Sequence, residues 1–305
     1  MNTMRIVSLL GSATEIVHAL GLEEHLVGIS HECDYPPEAL ALPRLSRTRF
    51  DPAGLTSGAV DAAVRQAMVE HGSVYEVDAE ALADLRPTLV LTQALCEVCA
   101  VPTGSVEAAV ARLPEPPRVV SLDAHSIPEI LDSIQQVADA AGEPNAGDRL
   151  REHLQARLDG VAASVSKADR PRSLLLEWLD PPFSPGHWVP EMIEAAGGEV
   201  VLGSAGKRSR EVDWESLDEL DPDVLLIEPC GYGLTEAERD AERHRERLTE
   251  VAARPFRDGR AWVLHSAFFS RSGPRIVDGV EALARVLHPE RFAEPPSRTV
   301  ARLWH

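Results

Sequence analysis

Lysine is almost missing from this chain. Lys167 and Lys207 are the only two, and arginine supplies the rest of the 30 basic residues, set against 49 acidic ones. A formal charge of −19 excludes sequence-independent nucleic-acid binding, which needs a basic face to displace counterions. It also argues against docking on anionic lipid. Long apolar runs are absent as well, and no stretch approaches the roughly 20 residues of a membrane-spanning helix. The opening MNTMRIVSLLG lacks the basic start, longer apolar stretch and cleavage site of a secretory leader. It reads as a first strand, and the chain is expected in the cytoplasm. Cysteine is scarce, four in 305 residues, and in that compartment the thiols are expected to be reduced. Neither a G-x-S-x-G elbow nor a Walker loop occurs, so the chain reads as a binder rather than an enzyme.

What is present is an internal repeat. EVDAEALADLRPTLVL (76–91) aligns without gaps on EVDWESLDELDPDVLL (211–226). Each copy offers an Asp to cap a short helix, leucines three apart for its buried stripe, a Pro where the helix must stop, and an apolar run for a buried strand. RIVSLL (5–10) and SLLLEWL (173–179) open the two halves as strands, leading into helices TEIVHALG and VPEMIEAAGG. HLVGIS and EVVLGS follow as second strands, RVVSLDA and AWVLHSA as last ones. Strands alternating with helices predict parallel sheets. The fold class is therefore α/β, with two Rossmann-like lobes at 1–125 and 171–290. Linking helices at 126–170 join them, one carrying Leu150, Leu154, Leu158, Val161 and Val165 on a stripe, and residues 291–305 form a tail.

Ligands of open α/β sheets bind beyond the carboxyl ends of the strands, so a cleft between the lobes would be lined by strand-exit loops. These name Ser12, Thr14 and Glu15, then His31, Glu32, Cys33, Asp34 and Tyr35, then Gln93, Cys96 and Cys99 in the first half. The second half contributes Glu177, Trp178, Phe183, His187 and Trp188, then Glu228, Cys230 and Tyr232, then His265, Phe268, Phe269 and Arg271. All four cysteines fall in these loops, two of them as a CxxC pair. Thiolates there could hold zinc or an iron–sulfur cluster, touch a ligand, or simply pack as small hydrophobes.

Other features have plainer readings beside the functional one. Ser12 and Glu15 in SATE fit a capping box. The aromatics of EWLDPPFSPGHWVPE and AFFSRSGPR suit a flat wall for a ring-shaped ligand, or burial against their own helices. His18, His71, His153, His244 and His288 are expected at the surface, and the charge-alternating ERDAERHRER (237–247) on a solvated helix face.

SLLGSATEIVHALGLEEHLVGISHECDYP and EVDWESLDELDPDVLLIEPCG resemble the two lobe signatures of helical-backbone (class III) periplasmic binding proteins. The resemblance spans about residues 4–290. HECDYPPEA, LTQALCEVCAVP and FFSRSGPRIVDG look like its cobalamin-binding, vitamin B12 receptor-like branch. That resemblance implies a clamp for cobalamin or another corrinoid, or a related metal chelate. Trp178, Phe183, Trp188 and Phe269 would cover ring faces, Ser12, Gln93 and Arg271 would meet peripheral groups, and His31 or His187 would approach the metal. An ABC permease is the partner that the family implies. The alternative is a thiolate-ligated metal protein using Cys33, Cys96, Cys99 and Cys230.

Overall fold

The computed structural model describes residues 4–93, 106, 109–111, 113 and 115–305. The chain divides into two units. The first comprises Met1–Leu55, Ala62–Ala124 and Pro128–His153, the second Thr56–Asp61, His125–Ile127 and Leu154–His305.

Four strands, β1 (Ile6–Ser8), β2 (Leu26–Ile29), β5 (Leu89–Thr92) and β6 (Arg118–Ser121), form the first sheet. Their order is β2-β1-β5-β6, all parallel. A small antiparallel ribbon pairs β3 (Ser46–Thr48) with β4 (Tyr75–Val77). Helices α1 (Gly11–Ala19), α2 (Ser57–His71), α3 (Ala79–Leu85) and α4 (Ile127–Ala141) follow in chain order. The strands are continuous apolar runs because a parallel sheet is covered on both faces. Val7, Leu9, Val90, Leu45 and Leu82 pack together in the core of this unit.

Helix α5 (Pro144–Val165) carries the chain from one unit into the other. Of its predicted stripe, Leu154, Leu158, Val161 and Val165 are buried and Leu150 is half-buried.

The second unit repeats the scheme. It contains β7 (Arg172–Leu176), a tight hairpin of β8 (Trp178–Leu179) and β9 (Pro182–Phe183), helix α6 (Val189–Ala195), and β10 (Glu199–Val200). Next come β11 (Val224–Ile227), α7 (Leu234–Arg243), α8 (Arg245–Val251) and α9 (Ala253–Arg257). The unit ends with β12 (Ala261–Leu264), α10 (Ile276–Leu287) and β13 (Ala301–Leu303). The sheet order is β10-β7-β11-β12-β13. The first four strands are parallel, and β13 runs antiparallel along β12. The duplicated halves therefore share one strand order, with β13 added to the second.

The repeat is reproduced down to backbone detail. Arg86 and Asp221 stand at the same place in it, each just before the Pro, and both adopt left-handed backbone (φ 44° and 40°). The helices of the two copies differ. Asp78 caps α3 as expected, accepting from the Ala81 N–H at 2.9 Å. Asp213 makes no such bond, and its segment forms only a 3₁₀ turn, Trp214–Leu217. The Ser216 hydroxyl donates to the Asp213 carbonyl at 2.6 Å, competing for the acceptor that an α-helix would use.

Three further expectations are corrected. Helix α1 starts at Gly11 behind Leu10, with no side-chain cap, so Ser12 lies inside the first turn and no capping box forms. His288 is an interior residue, 2% exposed, with Nε2 3.3 Å from the Gly197 carbonyl. The 237–247 run is not uniformly solvated: its helix breaks at His244. Asp240 is fully buried there, accepting from the Ser57 hydroxyl at 2.8 Å.

Candidate functional site

In the first unit the exit loops of β1 and β2 are tied together by a directed hydrogen-bond chain. The Ser8 hydroxyl donates to the Leu10 carbonyl at 2.8 Å, and the Thr14 hydroxyl donates to Ser8 at 2.9 Å. The chain extends to Cys33, 1% exposed, through the 3.0 Å contact between Thr14 Oγ1 and Cys33 Sγ. Arg44 gathers the carbonyls of His31 (2.6 Å) and Cys33 (3.3 Å). Ser46 on β3 donates to Ser30 at 3.2 Å, and its Oγ lies 2.7 Å from His31 Nδ1. His31 Nε2 sits 3.1 Å from Glu32 Oε1, and the ring leans on Tyr75 at 5.1 Å. Ser12, Thr14, Glu15 and Gln93 are buried at these strand exits, whereas Asp34 and Tyr35 are exposed.

The second unit builds a different surface. Trp178 on β8 and Tyr232 lie with ring centroids 5.1 Å apart, tilted by 56°, and both are half-buried. Trp178 is oriented by its indole N–H, which donates to the Asp180 carbonyl at 3.1 Å, and β8 pairs Trp178 with Phe183 on β9. Burial, then the Asp240 carboxylate, pushes the Tyr232 phenol up to about 12. Phe268 is half-buried, with His265 edge-on at 5.6 Å and the Arg275 guanidinium 5.0 Å above its ring. Arg271 is half-buried as well. Two of the expected ring walls are interior instead. Phe269 is fully buried, and Trp188, 5% exposed, donates its indole N–H to the Phe269 carbonyl at 2.6 Å.

Between Trp178 and Trp188 the chain is held in a shape that only certain residues allow. A Cβ on Gly186 would lie 2.1 Å from the Ser209 nitrogen, so glycine is required where these two loops meet. His187 adopts φ 53°, a strained conformation for a side chain of its size. Burial, then His125 and Arg208, lowers its pKa and keeps the imidazole neutral. The His125 ring is 6.1 Å away, and His187 Nδ1 is sealed from solvent with no partner among the described residues. Glu177 accepts from the Gly186 N–H (3.0 Å) and the Ser209 hydroxyl (2.6 Å).

The four thiols are divided. Cys33 belongs to the first unit and Cys230, which is exposed, to the second. Cys96 and Cys99 lie outside the described residues. Among the described residues no three His, Cys, Asp or Glu side chains are grouped to hold a metal ion, so zinc or an iron–sulfur cluster finds no support there. Sequence reasoning missed Arg44, Ser46, His125, Ser209 and Ser270. Each meets its partner across 11 residues or more, and no local pattern marks them.

Comparison with known proteins places this architecture. A vitamin B12-binding protein of Vibrio cholerae serotype O1 is 22% identical over 287 residues, 93% of this chain and 88% of that protein. An uncharacterized ABC transporter substrate-binding lipoprotein of Bacillus subtilis strain 168 is 24% identical, with 95% of this chain and 82% of that one covered. The solved periplasmic heme-binding protein from Pseudomonas aeruginosa superposes with a TM-score of 0.74. It covers 99% of this chain and 98% of its own at 21% identity. Residues 6–256 match the periplasmic binding protein family, and over that span the chain is a member of it.

Proposed function

We propose that this protein is a binding protein for a corrinoid or a closely related metal-chelate ring, with the strand-exit loops of the second unit supplying the surface that meets the ring. The observation that carries the reading is the half-buried pair Trp178 and Tyr232 at the carboxyl end of the second sheet. It supplies aromatic surface, with the indole fixed in orientation, where such folds take ligands. The relative that binds vitamin B12 matches along nearly the whole chain, which favours a corrinoid as cargo. Heme is the second reading, supported by the neutral His187 imidazole, the form that ligates a metal. An ABC permease is a fitting partner, since the Bacillus subtilis relative is a transporter component.

Titration of the purified chain with aquacobalamin, cyanocobalamin and hemin, followed by tryptophan quenching and calorimetry, tests this. The expected result is saturable uptake of a corrinoid at one per chain, weakened about tenfold in Trp178→Ala. Uptake of hemin alone selects the second reading. Saturation by neither ring removes both.

A further inference from the structure

Strands β7 and β11 lie side by side in parallel, and their last register partners are Leu176 and Ile227. The next residue on each is a glutamate, so Glu177 and Glu228 leave the sheet from neighbouring positions. Glu177 is 9% exposed and Glu228 not at all. Two carboxylates on adjacent strand ends and this dry cannot both ionise cheaply.

Their surroundings divide the roles. Glu177 accepts two hydrogen bonds, from the Gly186 N–H and the Ser209 hydroxyl, and two donors favour the charged form. Glu228 accepts one, from the Ser270 hydroxyl at 2.7 Å. Its second oxygen is sealed from solvent with no partner among the described residues. A bare negative oxygen there would go uncompensated, whereas a carboxylic acid costs far less. Burial first, then the Glu177 carboxylate and the Cys230 thiol, pushes Glu228 well above the ordinary carboxylate range. The titratable groups that act on it are Glu177 from the end of β7 and Cys230 from its own loop. Ser270, from the loop after β12, is uncharged.

We propose that Glu177 and Glu228 carry one proton between them, on Glu228, and that each member of this acid–carboxylate pair ties its own strand-exit loop to a neighbouring segment. Through Glu177 it reaches the 182–188 and 207–211 segments, and through Ser270 the loop that carries Phe268. Glu228 is thus a positioning residue for the surface that bears Trp178, His187 and Tyr232. The inference concerns the protein without ligand and stands whichever ring is bound.

Infrared spectroscopy of the full chain, paired with thermal melts from pH 6 to 9, tests it. At neutral pH the wild type should show a protonated-carboxyl band that Glu228→Gln removes. An acid with a raised folded-state pKa stabilises at low pH, and that contribution is lost as pH rises through the folded value. The wild-type midpoint should therefore fall by about 3 °C or more relative to Glu228→Gln between those limits. In Glu177→Gln the band should remain but titrate at lower pH, because the neighbouring charge is gone. If Glu228→Gln fails to fold, the wild type and Glu177→Gln decide the matter. No band assignable to Glu228, parallel melting curves, or a titration indifferent to Glu177 overturns the proposal.

Discussion

Asp78 and Asp213 occupy one place in the repeat yet act differently. The first accepts a helix-start amide, and the second has no side-chain cap bond. Asp78→Ala should cost about 1 kcal/mol in denaturant unfolding, while Asp213→Ala should stay within about 0.5 kcal/mol. Equal costs would show that the two copies are capped alike in solution. The same scale explains what could and could not be foreseen about the site. Residues on the strand exits were legible, because strand ends are set by local apolar runs. Their partners were not: Ser209 meets Glu177 from 32 residues away, and Ser270 meets Glu228 from 42. The interior placement of Trp188 and Phe269 was equally hidden, since an aromatic beside Pro and Gly looks the same whether it faces solvent or the core.

Among the elements, the parallel strands were the most legible, being short continuous apolar stretches with a helix pattern after each. The stripe on α5 was legible for the same reason, and its four buried side chains are worth about 1.5–3 kcal/mol each when fully removed from water. Leu154 is 3% exposed. Leu154→Ala is expected to destabilise the chain by about 2–4 kcal/mol. Substitution of exposed Glu152 one turn face away should be nearly silent, and calorimetric midpoints of the two variants make the comparison. The shortened helix of the second copy was not legible. There a serine hydroxyl competes for a backbone acceptor, and a one-atom contact of that kind leaves no trace in hydrophobic periodicity.

For the whole molecule, duplication predicts two sheets of equal make-up, and the added strand β13 breaks the equality. Beside it, Trp304 is buried and packs edge-on against Phe256 at 4.9 Å, with Arg245 lying 4.7 Å above its ring. Removing residues 300–305 leaves β12 with an open row of backbone donors and acceptors, a template for pairing with another chain. The truncated protein is expected to melt lower and to elute as larger species in size-exclusion chromatography. A monomer of unchanged stability would show that β13 is dispensable.

Strand β13 also imposes an order on biosynthesis. The strands of the first sheet all lie within residues 6–121, so they can pair while the ribosome is still at work on the rest. The second sheet must wait for residues 301–303. Through the end of translation one half of this protein is therefore able to mature while its sibling keeps a bare edge on β12.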